Sequence, residues 1–194
     1  MNPPNLLTMS RLVLAAVMMA FLSLAFPFAR TLALLVFIGA AFTDYLDGYL
    51  ARTRYGITAF GQLMDPLTDK VLVCAAFVSL VEMHRVPAWI AVVIIGREFL
   101  VTGLRLLAAH RGQVVSAGRW GKHKTVWQIA AIVILLLGIA VRQDYLVQVR
   151  PSVVARFDLL FNRLAYFISL VVAGVTLVSG WLYFREHRDV IDGR

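Results

Sequence analysis

Four aspartates lie close together in the first half of the chain and could do chemistry as a group. Asp44 and Asp47 are three residues apart, and Asp65 and Asp69 are four apart, so each pair shares one face if its segment is helical. A set of carboxylates without His or Cys suits Mg²⁺ or Mn²⁺ better than zinc. Two divalent cations would balance four negative charges, and such a metal pair is the usual clamp for displacement at phosphorus. The pattern therefore predicts a two-metal site for phosphorus chemistry.

Small residues and an arginine lie between the two aspartate pairs. Gly48 directly follows the first pair, Ala51 comes about one helical turn later, and Gly61 shortly precedes the second pair. Small side chains leave the backbone bare where a bulky polar ligand would approach, although they equally suit close helix packing. Arg52 offers a guanidinium fork for a phosphate oxygen.

The composition indicates that membrane helices must position these residues. The 194 residues are 60% hydrophobic and 15% charged, with a mean hydropathy of +0.79, whereas a soluble domain has about 25% charged residues. One cysteine and no zinc-type spacing exclude an intrachain disulfide and a structural zinc site. A net charge of +8 on so apolar a chain indicates anionic lipid rather than nucleic acid as its partner. Stretches long enough to cross about 30 Å of hydrocarbon recur at residues 12–29, 31–49, 66–83, 87–109, 125–141 and 164–184.

We therefore predict an all-α integral membrane protein, with six transmembrane helices around a cytoplasm-facing polar cavity and a single domain over residues 1–194. Most of the 19 Lys and Arg residues would lie on the side of the two termini, which predicts cytoplasmic termini in a multi-pass protein of the cell's inner membrane. Pro27, Pro87 and Pro151 fit helix breaks or starts at the outer face. Residues 142–163 are expected to form an outer loop or a helix lying on the surface.

The membrane setting bears on the role of the aspartates. A charge inside a bilayer costs roughly 2.5 to 3.5 kcal/mol, so four unpaired carboxylates would threaten insertion, which favours the metal hypothesis. The alternative is that they cap helices or pair with basic neighbours. Asp65 precedes Pro66 as an N-cap would, and Arg52, Arg54 and Lys70 are close in sequence.

A second group of charged residues is basic. Arg97 and Arg105 in the fourth predicted span are about 80° apart around a helix axis, so both can face one cavity, and Lys122 and Lys124 open the fifth span. Clustered cations suit a substrate that carries its own phosphate. The alternative is that Arg97 pairs with Glu98 or bridges the bundle, because buried charges are usually partnered.

The string Asp44-x2-Asp47-Gly48-x2-Ala51-Arg52-x8-Gly61-x3-Asp65-x3-Asp69 resembles the signature of the CDP-alcohol phosphotransferase family at every fixed position. The resemblance implies a six-helix membrane enzyme, commonly a homodimer. Such an enzyme uses two divalent cations, Mg²⁺ or Mn²⁺, to transfer a phosphatidyl-type group from a CDP-linked lipid to an alcohol, and it releases CMP. The resemblance further implies that the four aspartates bind metal and that Asp69 is also the general base. It assigns the CDP-lipid to a set that includes Asp44, Gly48, Ala51, Arg52 and Gly61.

The N-terminal string Asn5-x2-Thr8-x2-Arg11 also resembles the start of the family's first helix. A spacing of three places an amide, a hydroxyl and a guanidinium on one helix face, which suits contact with the phosphates of the CDP-lipid. A helix start with a snorkelling arginine would give the same pattern.

Two further segments resemble those of the family's phosphatidylglycerophosphate synthases, namely Arg97-Glu98-Phe99 with Arg105, and Gly121-Lys122-His123-Lys124-Thr125. This implies CDP-diacylglycerol as donor and glycerol 3-phosphate as acceptor, with Arg97, Arg105, Lys122 and Lys124 holding the acceptor's phosphate. Inositol phosphate, phosphatidylglycerol and amino alcohols stay open as other acceptors. Intramembrane aspartates also mark ion-coupled transporters, but the sequence has no inverted repeat to support that alternative.

Overall fold

A computed structural model describes the backbone of residues 3–54, 59–110 and 119–186, and the side chains of residues 9–43, 70–109 and 124–186. The described backbone is helical, with short connections and no strand, which confirms the all-helical prediction. The elements are α1 (Pro3–Ser23), α2 (Ala29–Arg54), α3 (Ala59–Glu82), α4 (Ala88–His110), α5 (Arg119–Ala140), the π-helix π1 (Val141–Tyr145) and α6 (Pro151–Glu186).

The side chains are distributed as expected for helices in lipid. α1 packs on α2 and α3, α4 on α3 and α6, and α5 on α2 and α6. Alanines such as Ala33 and Ala76 are fully buried in the bundle, while Val92, Leu160 and Trp181 face outward and are exposed. Small buried residues let membrane helices approach closely, and an outer surface of large apolar side chains requires an apolar solvent. These features are consistent with a membrane protein.

Two helical stretches in the described part are long and apolar enough to cross a membrane. They are Lys124–Tyr145 and Pro151–Glu186. Met9–Ser23 and Ala29–Thr43 are shorter apolar helical stretches. The apolar composition of these four helical stretches agrees with the apolar side chains exposed on the outside of the bundle.

Three short connections at one end of the bundle contain or adjoin the predicted prolines. We call residues 24–28, 83–87 and 146–150 the distal end, and the opposite end the proximal end. Pro27 lies in the first connection, Pro87 ends the second, and Pro151 is the first residue of α6, which confirms the predicted breaks and starts.

The first predicted span is wrong at its end, because α1 stops at Ser23 instead of continuing to residue 29. Pro27 cannot extend a helix. The guanidinium of Arg30 replaces the missing partners of the helix end, since Nη1 donates to the carbonyl oxygens of Phe21 at 2.7 Å and Leu24 at 2.8 Å.

The predicted loop or surface helix over residues 142–163 is also wrong in extent. π1 continues α5 to Tyr145, and α6 already begins at Pro151. The Arg142 side chain donates from Nε to both carboxylate oxygens of Asp158, at 2.8 and 2.9 Å, so π1 is tied to the first turns of α6. At 36 residues, α6 is about 54 Å long and extends beyond a hydrocarbon layer of about 30 Å.

A carboxylate of π1 stabilises the start of α2. Asp144 Oδ2 accepts hydrogen bonds from Thr31 N at 2.8 Å and from Thr31 Oγ1 at 2.7 Å. Asp144→Ala is therefore expected to lower the free energy of unfolding by about 1 kcal/mol, the usual cost of removing such an acceptor from a helix N-terminus. Denaturation of the purified protein in detergent would measure the loss. Glu82→Ala, at an exposed carboxylate, is the control, and an equal loss in both variants would contradict the assignment.

Candidate active site

The backbone places the four aspartates on two consecutive helices. Asp44 and Asp47 lie in the second half of α2, and Asp65 and Asp69 lie in the first half of α3. Both helices are unbroken through these positions, so each pair has the shared face that its spacing requires. Within residues 9–43, 70–109 and 124–186, no three His, Cys, Asp or Glu side chains come together as they would around a metal ion.

Several predicted site residues have side chains outside the described residues. They are Asn5, Thr8, Asp44, Asp47, Gly48, Ala51, Arg52, Gly61, Asp65, Asp69 and Lys122. Their proposed roles toward metal, CDP-lipid and acceptor therefore stay predictions. Arg11 is described and lies on α1.

A buried ionic cluster joins three helices near the middle of the bundle. Glu98 on α4 accepts a hydrogen bond at Oε2 from Lys70 Nζ of α3, at 2.7 Å. At Oε1 it accepts from Lys124 Nζ of α5 and from Gln128 Nε2 at 3.3 Å. The side chains of Glu98 and Lys124 are only 5% and 4% exposed. We call this set the Glu98 cluster, which consists of Lys70, Arg97, Glu98, Lys124 and Gln128.

The two arginines of α4 both lie against α6. Arg97 Nη1 is 3.5 Å from Glu98 Oε1, at the outer limit of a hydrogen bond. The Arg97 stem lies over Gly180, where a Cβ would be 3.0 Å from Arg97 Cγ. Arg105 Nε donates to Tyr183 Oη at 3.3 Å, and its guanidinium carbon is 5.4 Å from the centre of that ring, a cation–π distance. α6 thus contacts both predicted acceptor-binding arginines.

Two buried polar atoms, one on α4 and one on α6, have no hydrogen-bond partner in the described part of the chain. They are Arg97 Nε and Thr176 Oγ1, and Thr176 lies one helical turn before Gly180. A buried polar group without a partner costs about 1 to 3 kcal/mol. The cost is offset if a polar ligand or water binds there. Among the described side chains, the three cations of the Glu98 cluster outnumber its one carboxylate, which favours an anionic ligand.

The structure brings together part of the predicted acceptor site. Arg97 and Lys124 meet at the carboxylate of Glu98, and Arg105 lies further along the same helix against α6. The alternative of a charge bridge within the bundle is thus partly realised, although its main links are to Lys70 and Lys124 rather than to Arg97. These contacts leave the positive excess that an acceptor's phosphate needs.

Sequence reasoning missed several residues of this region. Gln128 follows Lys124 by four positions, so a shared helix face was a usable signal, and Lys70 directly follows Asp69. Gly180 and Tyr183 gave no local signal, because their contacts with Arg97 and Arg105 join distant parts of the chain.

Residues 1–182 match the CDP-alcohol phosphatidyltransferase family. The chain belongs to this family. The matched residues include the aspartate string and the whole Glu98 cluster. The resemblance carried by the aspartate string is thereby confirmed.

Similar proteins within the CDP-alcohol phosphatidyltransferase family share one name, CDP-diacylglycerol–glycerol-3-phosphate 3-phosphatidyltransferase. The protein of Bacillus subtilis (strain 168) is 38% identical, over 98% of this chain and 97% of its own length. That of Rickettsia bellii is 33% identical over 95% and 94%. That of Pseudomonas fluorescens is 42% identical over 70% and 72%.

Proposed function

We propose that this protein transfers the phosphatidyl group of CDP-diacylglycerol to glycerol 3-phosphate, giving phosphatidylglycerophosphate and CMP. Family membership and the shared name of the relatives support the reaction. The observation that carries the choice of acceptor is the Glu98 cluster, in which three cations from three helices exceed one buried carboxylate.

The acceptor's phosphate is the group that the cluster suits. A phosphate monoester carries about −1.5 to −2 at pH 7, close to the positive excess of the cluster. Arg97 Nε is a buried donor without a described partner, and Lys124 brings an ammonium to the same carboxylate. Arg105 and Lys122 complete the proposed set. A plain alcohol without phosphate would give no reason to bury so many cations.

We propose that two divalent cations, Mg²⁺ or Mn²⁺, bind to Asp44, Asp47, Asp65 and Asp69. The donor set is purely carboxylate, the type that these hard cations prefer, and the unbroken helices α2 and α3 give each pair its common face. When bound, the cations would stabilise negative charge on the diphosphate and on the transferred phosphoryl group.

The proposed reaction is a direct displacement at phosphorus. Asp69 accepts the proton of the acceptor's 1-hydroxyl, and that oxygen forms a bond to the phosphorus that carries diacylglycerol. The bond from this phosphorus to the bridging oxygen of the diphosphate breaks, and CMP leaves with that oxygen. On the donor side, Asn5, Thr8, Arg11 and Arg52 contact the phosphates, while Gly48, Ala51 and Gly61 leave room for the nucleotide.

The proposed place of action is the inner membrane of the cell, with the termini and the active site on the cytoplasmic side. In the sequence, basic residues end α2, follow α4 and open α5, at Arg52, Arg54, Arg111, Arg119 and Lys122, and they support this orientation by the positive-inside rule. We also propose a homodimer, as the family resemblance implies. Light scattering of the detergent-solubilised protein would measure the mass of the assembly.

One experiment tests class and acceptor together. The purified protein in detergent is given CDP-diacylglycerol, Mg²⁺ and either glycerol 3-phosphate, inositol phosphate, phosphatidylglycerol, serine or no acceptor, and CMP release is measured. Release that depends on glycerol 3-phosphate is expected. Release with another acceptor alone would reassign the substrate, and no metal-dependent release with any acceptor would overturn the enzyme assignment.

Gly180→Ala is expected to raise the KM for glycerol 3-phosphate about threefold to tenfold. The added Cβ would stand 3.0 Å from Arg97 Cγ, so the Arg97 stem must shift by tenths of an ångström, and small misplacements of binding groups carry large kinetic costs. Gly174→Ala is a matched control on the same helix, since a Cβ there meets nothing within 4 Å and gains the same helix propensity. Equal KM values for the two variants would count against a role of Arg97 in acceptor binding.

A further inference from the structure

Glu98 is the only carboxylate among the described residues that joins cations from neighbouring helices on both sides of its own. Its oxygens accept from Lys70 of α3 and Lys124 of α5, while it belongs to α4 itself. A carboxylate buried to this degree is costly unless ionic and hydrogen-bonding partners surround it. Here Gln128 adds a further donor, at 3.3 Å. The arrangement therefore fixes three helices relative to one another.

The two oxygens of Glu98 serve different parts of the proposed site. Oε2 holds Lys70, the residue directly after Asp69 on α3, so this link fixes the turn of α3 that carries the proposed base. Oε1 holds Lys124, a proposed ligand of the acceptor's phosphate. One carboxylate thus connects the turn of α3 that carries the proposed base with the lysine of α5 that is proposed to bind the acceptor's phosphate.

The charge balance shows why a single carboxylate is suitable. Without Glu98, the three cations of the cluster would repel one another, because like charges that are close together and shielded from water interact strongly. A second carboxylate in the cluster would lower its positive excess from two charges to one and so weaken its attraction for a phosphate. One carboxylate therefore holds the cations together and leaves them attractive to an anion.

We propose that Glu98 is a positioning residue of the transferase reaction, which sets the distance between the Asp69 turn of α3 and the cations that bind the acceptor's phosphate. This inference rests on the function proposed above. Glu98 itself touches neither substrate in this account. Its carboxylate acts through Lys70 and Lys124, so its loss should affect the use of glycerol 3-phosphate and leave the KM for CDP-diacylglycerol unchanged.

The first test is Glu98→Gln, which keeps the shape of the side chain and removes its charge. The expected result is a fall in kcat/KM for glycerol 3-phosphate of about 10- to 100-fold, because an ångström of misplacement can cost about 100-fold, with an unchanged KM for CDP-diacylglycerol. Glu82→Gln, at an exposed carboxylate of α3, is the control and should match the wild type. Wild-type kinetics of folded Glu98→Gln protein, with or without lower thermal stability, would reduce Glu98 to a structural ion-pair partner and overturn the proposal.

A double variant separates positioning from a general loss of structure. If Glu98 acts on the acceptor through Lys124, then Glu98→Gln should add little to the rise in acceptor KM that Lys124→Met already causes. Additive effects on that KM would overturn the proposed route. If Glu98→Gln does not fold, Lys70→Gln cuts only the α3 link and must show the same selective fall in kcat/KM, and wild-type kinetics of this variant would overturn the proposal.

The wild-type protein in the same assay distinguishes the two levels of inference. Absence of CMP release from wild type with glycerol 3-phosphate is a failure of the proposed function. Release from wild type, together with unaltered kinetics of the Glu98 and Lys70 variants, is a failure of the positioning role alone.

Discussion

Asp69→Asn is expected to retain binding of CDP-diacylglycerol and to lose at least about 100-fold in kcat. An amide cannot accept the proton of the acceptor's hydroxyl as a carboxylate does, and a general base typically contributes 10²- to 10⁴-fold to the rate. The substitution preserves shape, so α3 and its Lys70 link to Glu98 should form as before. CMP release at saturating concentrations of both substrates gives kcat, and the thermal shift on titration with CDP-diacylglycerol gives binding.

The same chemical change elsewhere provides the control for this experiment. Asp158→Asn alters a half-buried carboxylate that accepts from Arg142 near the distal end, away from the Glu98 cluster. Its kcat should equal that of the wild type even if its stability falls. An Asp69→Asn enzyme with unchanged turnover would refute the base assignment, whereas loss of both turnover and CDP-lipid binding would indicate that Asp69 acts mainly as a metal ligand.

The helices were predictable because their signals are local. Apolar stretches of membrane-crossing length and three prolines located the helices and the distal connections, and the part of the chain that the structure describes has six α-helices in that order. One error came from extending the first apolar stretch past a proline: α1 ends early because Pro27 cannot continue it and Arg30 binds its last carbonyl oxygens. The other depends on a contact that hydropathy does not show, because Arg142 binds Asp158 and so ties π1 to the first turns of a longer α6.

The packing of α5 against α6 also could not be predicted from the sequence of either helix. The ring of Phe161 occupies the space where a Cβ of Gly138 would stand, and Phe161 is buried. In the sequence, Phe161 belongs to a stretch of mixed polarity that suggested an outer loop or a helix lying on the surface. Its burial depends on a glycine in another helix, which no periodicity of its own segment could reveal.

Some residues of the proposed site could be found from the sequence, whereas others needed the structure. The aspartate string was recognisable from types and spacing alone, since both pairs repeat at helical intervals. Arg97 and Lys124 were also found from the sequence, but Glu98 stood only as a possible partner of its neighbour. Adjacent residues on a helix point about 100° apart, and this explains why Glu98 binds the lysines of α3 and α5 more closely than it binds Arg97.

Lys124→Met is expected to raise the KM for glycerol 3-phosphate about 10- to 100-fold, with little change in the KM for CDP-diacylglycerol. A hydrogen bond to a charged group contributes about 1.5 to 3 kcal/mol, and about 1.4 kcal/mol corresponds to tenfold in affinity. Methionine retains most of the buried volume of the 4% exposed lysine side chain, so the change mainly removes charge and donor. Initial rates with each substrate varied in turn would measure both KM values.

A distant cation tests whether charge alone explains such a result. Arg156 lies exposed on the first turns of α6, so Arg156→Met removes one positive charge without touching the cluster. If overall attraction of an anionic substrate were the cause, both variants would raise the acceptor KM alike, and added salt would abolish the difference from wild type. A selective rise for Lys124→Met that persists at high salt would place the phosphate at the Glu98 cluster, because buried interactions are screened much less than exposed ones.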